Sequence, residues 1–152
     1  MINKILDYLV LIFIVGTMMF LASCSVNDEL QELIPSPQLE INGNLPIDSN
    51  GYYHLQLNDS SNQTIHTIEG IVNNHEYYDA LKVEWDSNLV WYYEGEVVPT
   101  TNQASYVVNG KVQNVIAPIR TMIGDTLILN GKIWYSSETY EWAHDTINIV
   151  LE

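Results

Sequence analysis

The stretch Leu127-Ile128-Leu129-Asn130-Gly131-Lys132-Ile133 sets apolar, strand-prone runs on either side of an Asn-Gly pair. Tyr106-Val107-Val108-Asn109-Gly110-Lys111-Val112 has the same layout. Both central residues of the commonest two-residue hairpin turn need positive φ, which Asn and Gly tolerate best, so each stretch reads as a β-hairpin. The two look alike because of an internal repeat, or because two unrelated hairpins use one turn. Asn-Gly recurs at 42–43 and 50–51.

Outward from these turns, apolar residues alternate with polar ones. Leu81, Val83 and Trp85 alternate with Lys82, Glu84 and Asp86. Ile147, Ile149 and Leu151 alternate with Thr146, Asn148 and Val150, and Tyr53, Leu55 and Leu57 with Tyr52, His54 and Gln56. A period of two with one wet face is the mark of a half-buried strand. No segment after residue 37 keeps a 3.6-residue apolar stripe. The expected strands are 38–42, 52–57, 64–73, 80–86, 89–94, 105–109, 111–117, 126–130, 132–137 and 141–151. So many short strands at regular spacing predict an all-β chain, an antiparallel two-sheet sandwich, with a small barrel as the alternative.

Gly124-Asp125-Thr126-Leu127 and the final strand at Asp145-Thr146-Ile147 resemble immunoglobulin-like domains of bacterial surface proteins. The resemblance spans roughly 38–152 and implies an immunoglobulin-like sandwich, here without the cysteine pair of antibody domains. Both Asp-Thr-apolar triplets also resemble the O-glycosylation signal of exported Bacteroidota proteins, which implicates Thr126 and Thr146. Turn chemistry at the start of a strand explains the same triplets.

The amino terminus carries a different signal. Lys4 precedes an uncharged apolar run from Leu9 to Ala22, shorter than the ~20 residues of a membrane-spanning helix. The run closes on Leu21-Ala22-Ser23-Cys24, small residues before a cut, as in a secretory signal. With cysteine at that place, the motif resembles the lipobox of bacterial lipoproteins. The resemblance implies cleavage before Cys24, diacylation of its thiol and acylation of the new amino terminus. Residues 1–23 then form a signal peptide and 24–37 an acylated cysteine with a tether stiffened by Pro35 and Pro37, ahead of a domain at 38–152. Val26, Leu30, Leu33 and Ile34 fall at helical spacing, which allows a turn or two of helix in that tether. Asp28 and Glu29 behind the cysteine resemble a Bacteroidota surface-export signal, and a hydrophilic spacer fits them equally. The implied location is the cell envelope, anchored by lipid to the outer membrane, facing the periplasm or the cell surface.

The formal charge is −14. Lys4 and Asp7 cancel, so the mature chain from Cys24 keeps all of it against only Lys82, Lys111, Arg120 and Lys132. Such a surface repels nucleic acid and anionic headgroups, and it suits solubility, cations or a basic partner. Cys24 is the only cysteine, so no disulfide supports the fold.

No catalytic motif occurs, neither a nucleophile elbow nor a zinc-binding His-Glu-x-x-His nor a phosphate loop, and the chain reads as a non-enzyme. His54, His66, His75 and His144 fall on separate elements. Asp48-Ser49-Asn50-Gly51 shares the opening of a calcium loop but lacks its later ligands, so a hairpin turn explains it better. His75, Glu76 and Asp79 lie together in one loop and form the candidate cation site, with Ca2+ as the ion; a solvated loop is the plainer reading. Trp85 and Trp91 share faces with Leu81, Val83 and Leu89, which makes them core. By alternation Tyr92 and Trp134 point outward, and Tyr140 and Trp142 flank the last turn. Tyr92, Trp134 and Trp142 offer flat apolar faces for stacking on a ligand, and core or edge packing is the plainer reading of each. The function expected is a lipid-anchored envelope module, binding or structural, whose partners are the membrane and an envelope protein or glycan. The alternative is a carbohydrate- or cation-binding accessory domain.

Overall fold

The computed structural model describes residues 34–58, 62–136 and 141–152. The chain divides into two compact units, Met1–Pro35 and Ser36–Glu152. Cys24, the signal-like run and the tether up to Leu33 lie outside the described residues, as does Tyr140.

The second unit holds ten strands: β1 Gln38–Asn42, β2 Tyr53–Leu55, β3 His66–Asn73, β4 Lys82–Ser87, β5 Val90–Tyr93, β6 Glu96–Pro99, β7 Ala104–Tyr106, β8 Lys111–Ile116, β9 Thr126–Ser136 and β10 Glu141–Leu151. Short 3-10 turns stand at His75–Tyr77 and Arg120–Met122, and no α-helix occurs among the described residues. The fold is all-β. Strands β1-β3-β8 make one sheet, β2-β10-β9-β4-β7 a second that curls into a half-barrel, and β5-β6 a separate two-stranded hairpin. Every strand pair is antiparallel except β2 with β10.

Period two decides which side chains meet. Leu39 and Ile41 of β1, Ile68 and Val72 of β3, and Val112 and Ile116 of β8 share one core with side chains of the larger sheet. From that sheet come Val83 and Trp85 of β4, Leu127, Leu129 and Ile133 of β9, and Ile147, Ile149 and Leu151 of β10. Each such burial is worth roughly 1.5–3 kcal/mol, and with no disulfide within this unit it is the main force holding the sheets together. Buried Asn114 is satisfied by bonding Thr101 and the amide of Val115.

The two look-alike stretches turn out differently. Asn109 (φ 51°) and Gly110 (φ 72°) do form the mirror-image turn, and Val108 and Lys111 exchange hydrogen bonds of 2.8 and 3.0 Å across it. Its arms then part, β7 pairing with β4 and β8 with β3, so this turn hands the chain from one sheet to the other. Asn130-Gly131 is no turn at all. It lies inside β9, which runs unbroken where two strands were expected. Gly131 stands there because β1 crosses over it: a Cβ would come within 2.9 Å of Leu39 Cδ2 and 3.0 Å of Trp85 Cζ3. Close approach, not positive φ, is what this glycine serves. Conversely the β5–β6 hairpin turns at Glu94 (φ 51°) and Gly95 (φ 88°), at the end of the stretch expected as strand 89–94, and β6 was not anticipated. Glu rarely adopts positive φ, so this pair carries little turn signal.

Candidate functional site

The outer face of the half-barrel gathers the chain's exposed indoles. In the β9–β10 ladder Trp134 stands directly opposite Trp142, and the rings lie 6.1 Å apart at 42°. Their neighbours Ile133 and Tyr135 point inward, Ile133 fully buried and Tyr135 packed on the core, which drives Trp134 out by alternation. Trp134 is 51% exposed and Trp142 39%. A bulge falls beside the pair: the register slips between Glu141, opposite Ser136, and Trp142, opposite Trp134. The slip leaves Tyr135 with no residue opposite it in β10, and its ring meets that of Tyr78 edge-on at 5.8 Å.

Polar residues fill the rest of the face in registered rows. Glu84 pairs with Lys132 and Lys132 with His144; Asp86 pairs with Asn130 and Asn130 with Thr146. Thr146 Oγ1 donates to Asn130 Oδ1 at 2.8 Å, and Asn130 Nδ2 donates to Asp86 Oδ1 at 2.6 Å. Lys132 Nζ lies 3.9 Å from Asp86 Oδ2 and 5.2 Å from the centre of the Trp142 ring, within cation–π range. The His144 ring centre lies 4.6 Å from that of Trp142. Lys82 pairs with Glu84 at 3.4 Å, and Tyr106, 72% exposed, stands opposite Lys82 on the neighbouring strand. Exposed rings rimmed by paired polar groups are the composition of a recognition surface.

Two grooves flank Trp134. One of about 550 Å³ runs over Glu84, Asp86, Gln103, Ala104 and Lys132. The other, about 400 Å³, is bordered by Tyr77, Tyr78, Asp79 and Tyr135. Both are lined by Lys82, Glu84 and Trp134. Burial pushes the Tyr78 hydroxyl above its usual range, with Tyr135 and Glu141 adding to the shift, so it stays a neutral donor and acceptor.

The expected site residues are thus partly assembled. Trp134 and Trp142 come together. Tyr92 is 72% exposed but belongs to the separate β5–β6 hairpin, not to that pair. His75 and Glu76 are neighbours at 3.6 Å, yet the His75 ring is taken up by Val72 O at 3.0 Å and lines a different hollow from Asp79. Among the described residues no three His, Cys, Asp or Glu side chains are grouped to hold a metal ion. Asp48 caps its own turn, accepting from the amides of Asn50 and Tyr52 at 2.8 and 2.9 Å. Thr146 is exposed, and Thr126 is half-buried.

One cluster escaped the sequence altogether. His54 Nδ1 lies 2.6 Å from Glu152 Oε1, and its Nε2 3.6 Å from Asp48 Oδ2. Only the parallel β2–β10 pairing brings these distant positions together. The Glu152 carboxylate, helped by Asp48, raises the His54 pKa, and the amide of Tyr52 is the foremost influence lowering that of Asp48. Among the described residues no hydroxyl or thiol hydrogen-bonds the imidazole, so the cluster clamps an edge strand without forming a nucleophile–base pair. Tyr106 also went unnoticed, although its place opposite Lys82 follows once β7 is paired with β4. No protein-family model, no curated protein and no solved structure matches this chain, and the functional reading therefore rests on the geometry of the Trp134–Trp142 face.

Proposed function

We propose that this chain is a lipid-anchored module of the bacterial cell envelope, and that its domain is a variant immunoglobulin-like sandwich. Its outer aromatic face binds carbohydrate of the envelope or its surroundings. The observation that carries the binding role is the registered, solvent-exposed pair Trp134 and Trp142. Two indoles held side by side on adjacent strands, inclined at 42°, give an angled apolar platform set by the strand pairing before any ligand arrives, which lowers the entropic cost of binding. Around them Asn130, Asp86, Glu84 and Lys132 supply donors and acceptors for hydroxyl groups. Apolar ring faces with hydroxyls at the rim are the chemistry of a sugar. The lipobox-like Leu21-Ala22-Ser23-Cys24 supports the anchor.

The test is a glycan array probed with the wild-type domain, Trp134→Ala/Trp142→Ala and a control, Ile65→Ala, at a residue 72% exposed. Binding by wild type and control, lost in a double variant that still melts cooperatively within several degrees of wild type, supports the reading. Equal binding by all three proteins, or by none, overturns it. For the anchor, full-length protein made in a bacterial host partitions into detergent and Cys24→Ala does not; a wild type that stays in the aqueous phase overturns that part.

A further inference from the structure

We infer that the face takes an extended, uncharged glycan chain, lying along β4 through both grooves with Trp134 stacked on a sugar ring at its middle. The inference rests on the carbohydrate reading above and adds length and charge to it.

Length follows from continuity. The two grooves share Lys82, Glu84 and Trp134, so they form one trough with the indole as a ridge at its centre. Each alone has the size of a small-molecule site. From Leu81 to Asp86 the strand advances about 16 Å at ~3.3 Å per residue, longer than a single ring needs. The trough extends from Tyr77 and Asp79 on one side to Gln103 on the other, so more than one sugar unit has lining to meet.

Charge follows from pairing. In a chain of net charge −14, both lysines of this trough are already engaged, Lys82 by Glu84 and Lys132 by Asp86, while Asp79 at one end adds a further carboxylate. No uncompensated cation is left to draw a sulfated or uronic-acid polymer, and the surrounding acidic surface repels one. Glu84 and Asp86 are taken by the lysines, which leaves Asp79, a single carboxylate at one end, as the trough's draw for a strongly basic peptide. Paired carboxylates still accept hydrogen bonds from sugar hydroxyls through their remaining lone pairs. Tyr78 and Gln103 add further hydrogen-bonding groups along the path.

The experiment measures calorimetric affinities of the domain for neutral gluco-, xylo- and manno-oligosaccharides from single sugars to hexamers, with heparin and oligolysine as charged probes. Affinity for one neutral series should rise by about tenfold or more between dimer and hexamer, and Trp134→Ala should lower hexamer affinity by a similar factor. Glu84→Gln, which keeps an acceptor and unpairs Lys82, should begin to admit heparin. If a monosaccharide binds as tightly as its hexamer, the face is a sugar site but the chain inference falls. If heparin or oligolysine binds wild type better than any neutral series, the charge argument falls. If no neutral sugar of any length binds, the carbohydrate reading falls with it.

Discussion

The backbone amide of Ile41 donates a 2.7 Å hydrogen bond to the Asp145 carboxylate, joining the first strand to the last across the gap between two sheets. Asp145 pairs with Gly131 and so occupies the inward face of β10, where a charge is costly unless it is bonded. Here it takes an amide on the outer edge of β1, the side away from β3, and also accepts from Thr146 N at 2.8 Å. Asp145→Ala should destabilise the domain by about 1.5–3 kcal/mol, the worth of a hydrogen bond to a charged group. Chemical denaturation measures it, and an unchanged midpoint would show that β1 is held by packing alone.

Gly131, opposite Asp145, is the second half of that crossing. A methyl group there would press on the rigid Trp85 ring at 3.0 Å as well as on Leu39 and on Ile41 at 3.1 Å. Gly131→Ala should therefore cost about 1–3 kcal/mol, as overpacking does, although alanine ordinarily improves a strand. Gly95, whose Cβ position is open, should tolerate the methyl group except for its positive φ. A thermal melt of Gly131→Ala at or above wild type would mean that β1 does not seat on β9 in solution.

The His54 clamp should make stability depend on pH. Because folding raises the His54 pKa above its ordinary 6.5, its stabilisation is complete below that value and is lost as pH climbs through the raised pKa. Asp48 works in the opposite direction: its pKa is lowered from 3.8, so its share is present above that value and is lost in stronger acid. The two windows overlap between those ordinary values. Melting temperature should decline from mildly acidic toward alkaline pH, and His54→Gln should flatten this decline. The groups are solvent-accessible, so added salt should weaken the effect. A His54→Gln profile parallel to wild type would remove the clamp from the account.

Strand content and the inward or outward sense of most side chains were legible from alternation, because period two is a property of the strand itself. Trp85 and Trp134 both lie on the side that their neighbours dictated. Pairing was less legible. Asn130-Gly131 carries the strongest local turn signal yet runs straight, since the requirement it meets is imposed by Leu39, some ninety residues away in sequence. Glu94-Gly95 carries a weak one and turns. The Trp134–Trp142 pair followed from a short local hairpin, whereas the rows that join it to Asp86, Glu84 and Tyr106 needed the β4–β9 and β4–β7 registers, which depend on the whole sheet. The Asp48–His54–Glu152 cluster depends on a parallel pairing that no local pattern announces.

Trp85 and Trp134 test the sense of the face directly. They sit on adjacent antiparallel strands of one sheet but on opposite sides of it, Trp85 5% exposed and Trp134 51%. Trp85 fills core space against Gly131, and its indole nitrogen donates to Ser105 Oγ at 3.2 Å. Removing it deletes a large buried ring and leaves a cavity that the two sheets cannot close, so Trp85→Ala should cost about 3–5 kcal/mol. Trp134 packs on one side only, against Trp142, and an exposed aromatic pair is worth about 0.5–1.5 kcal/mol. Trp134→Ala should accordingly lose no more than that, and Trp142→Ala about the same. Because the two share one contact, the double variant should lose less than the sum of the single losses. Denaturant midpoints for the four variants decide the matter. Similar large losses at all three tryptophans would mean that the outer pair is structural, covered by part of the chain in solution, and the ligand platform would have to be sought elsewhere, with the exposed Tyr92 and Tyr93 of the β5–β6 hairpin the next place to look.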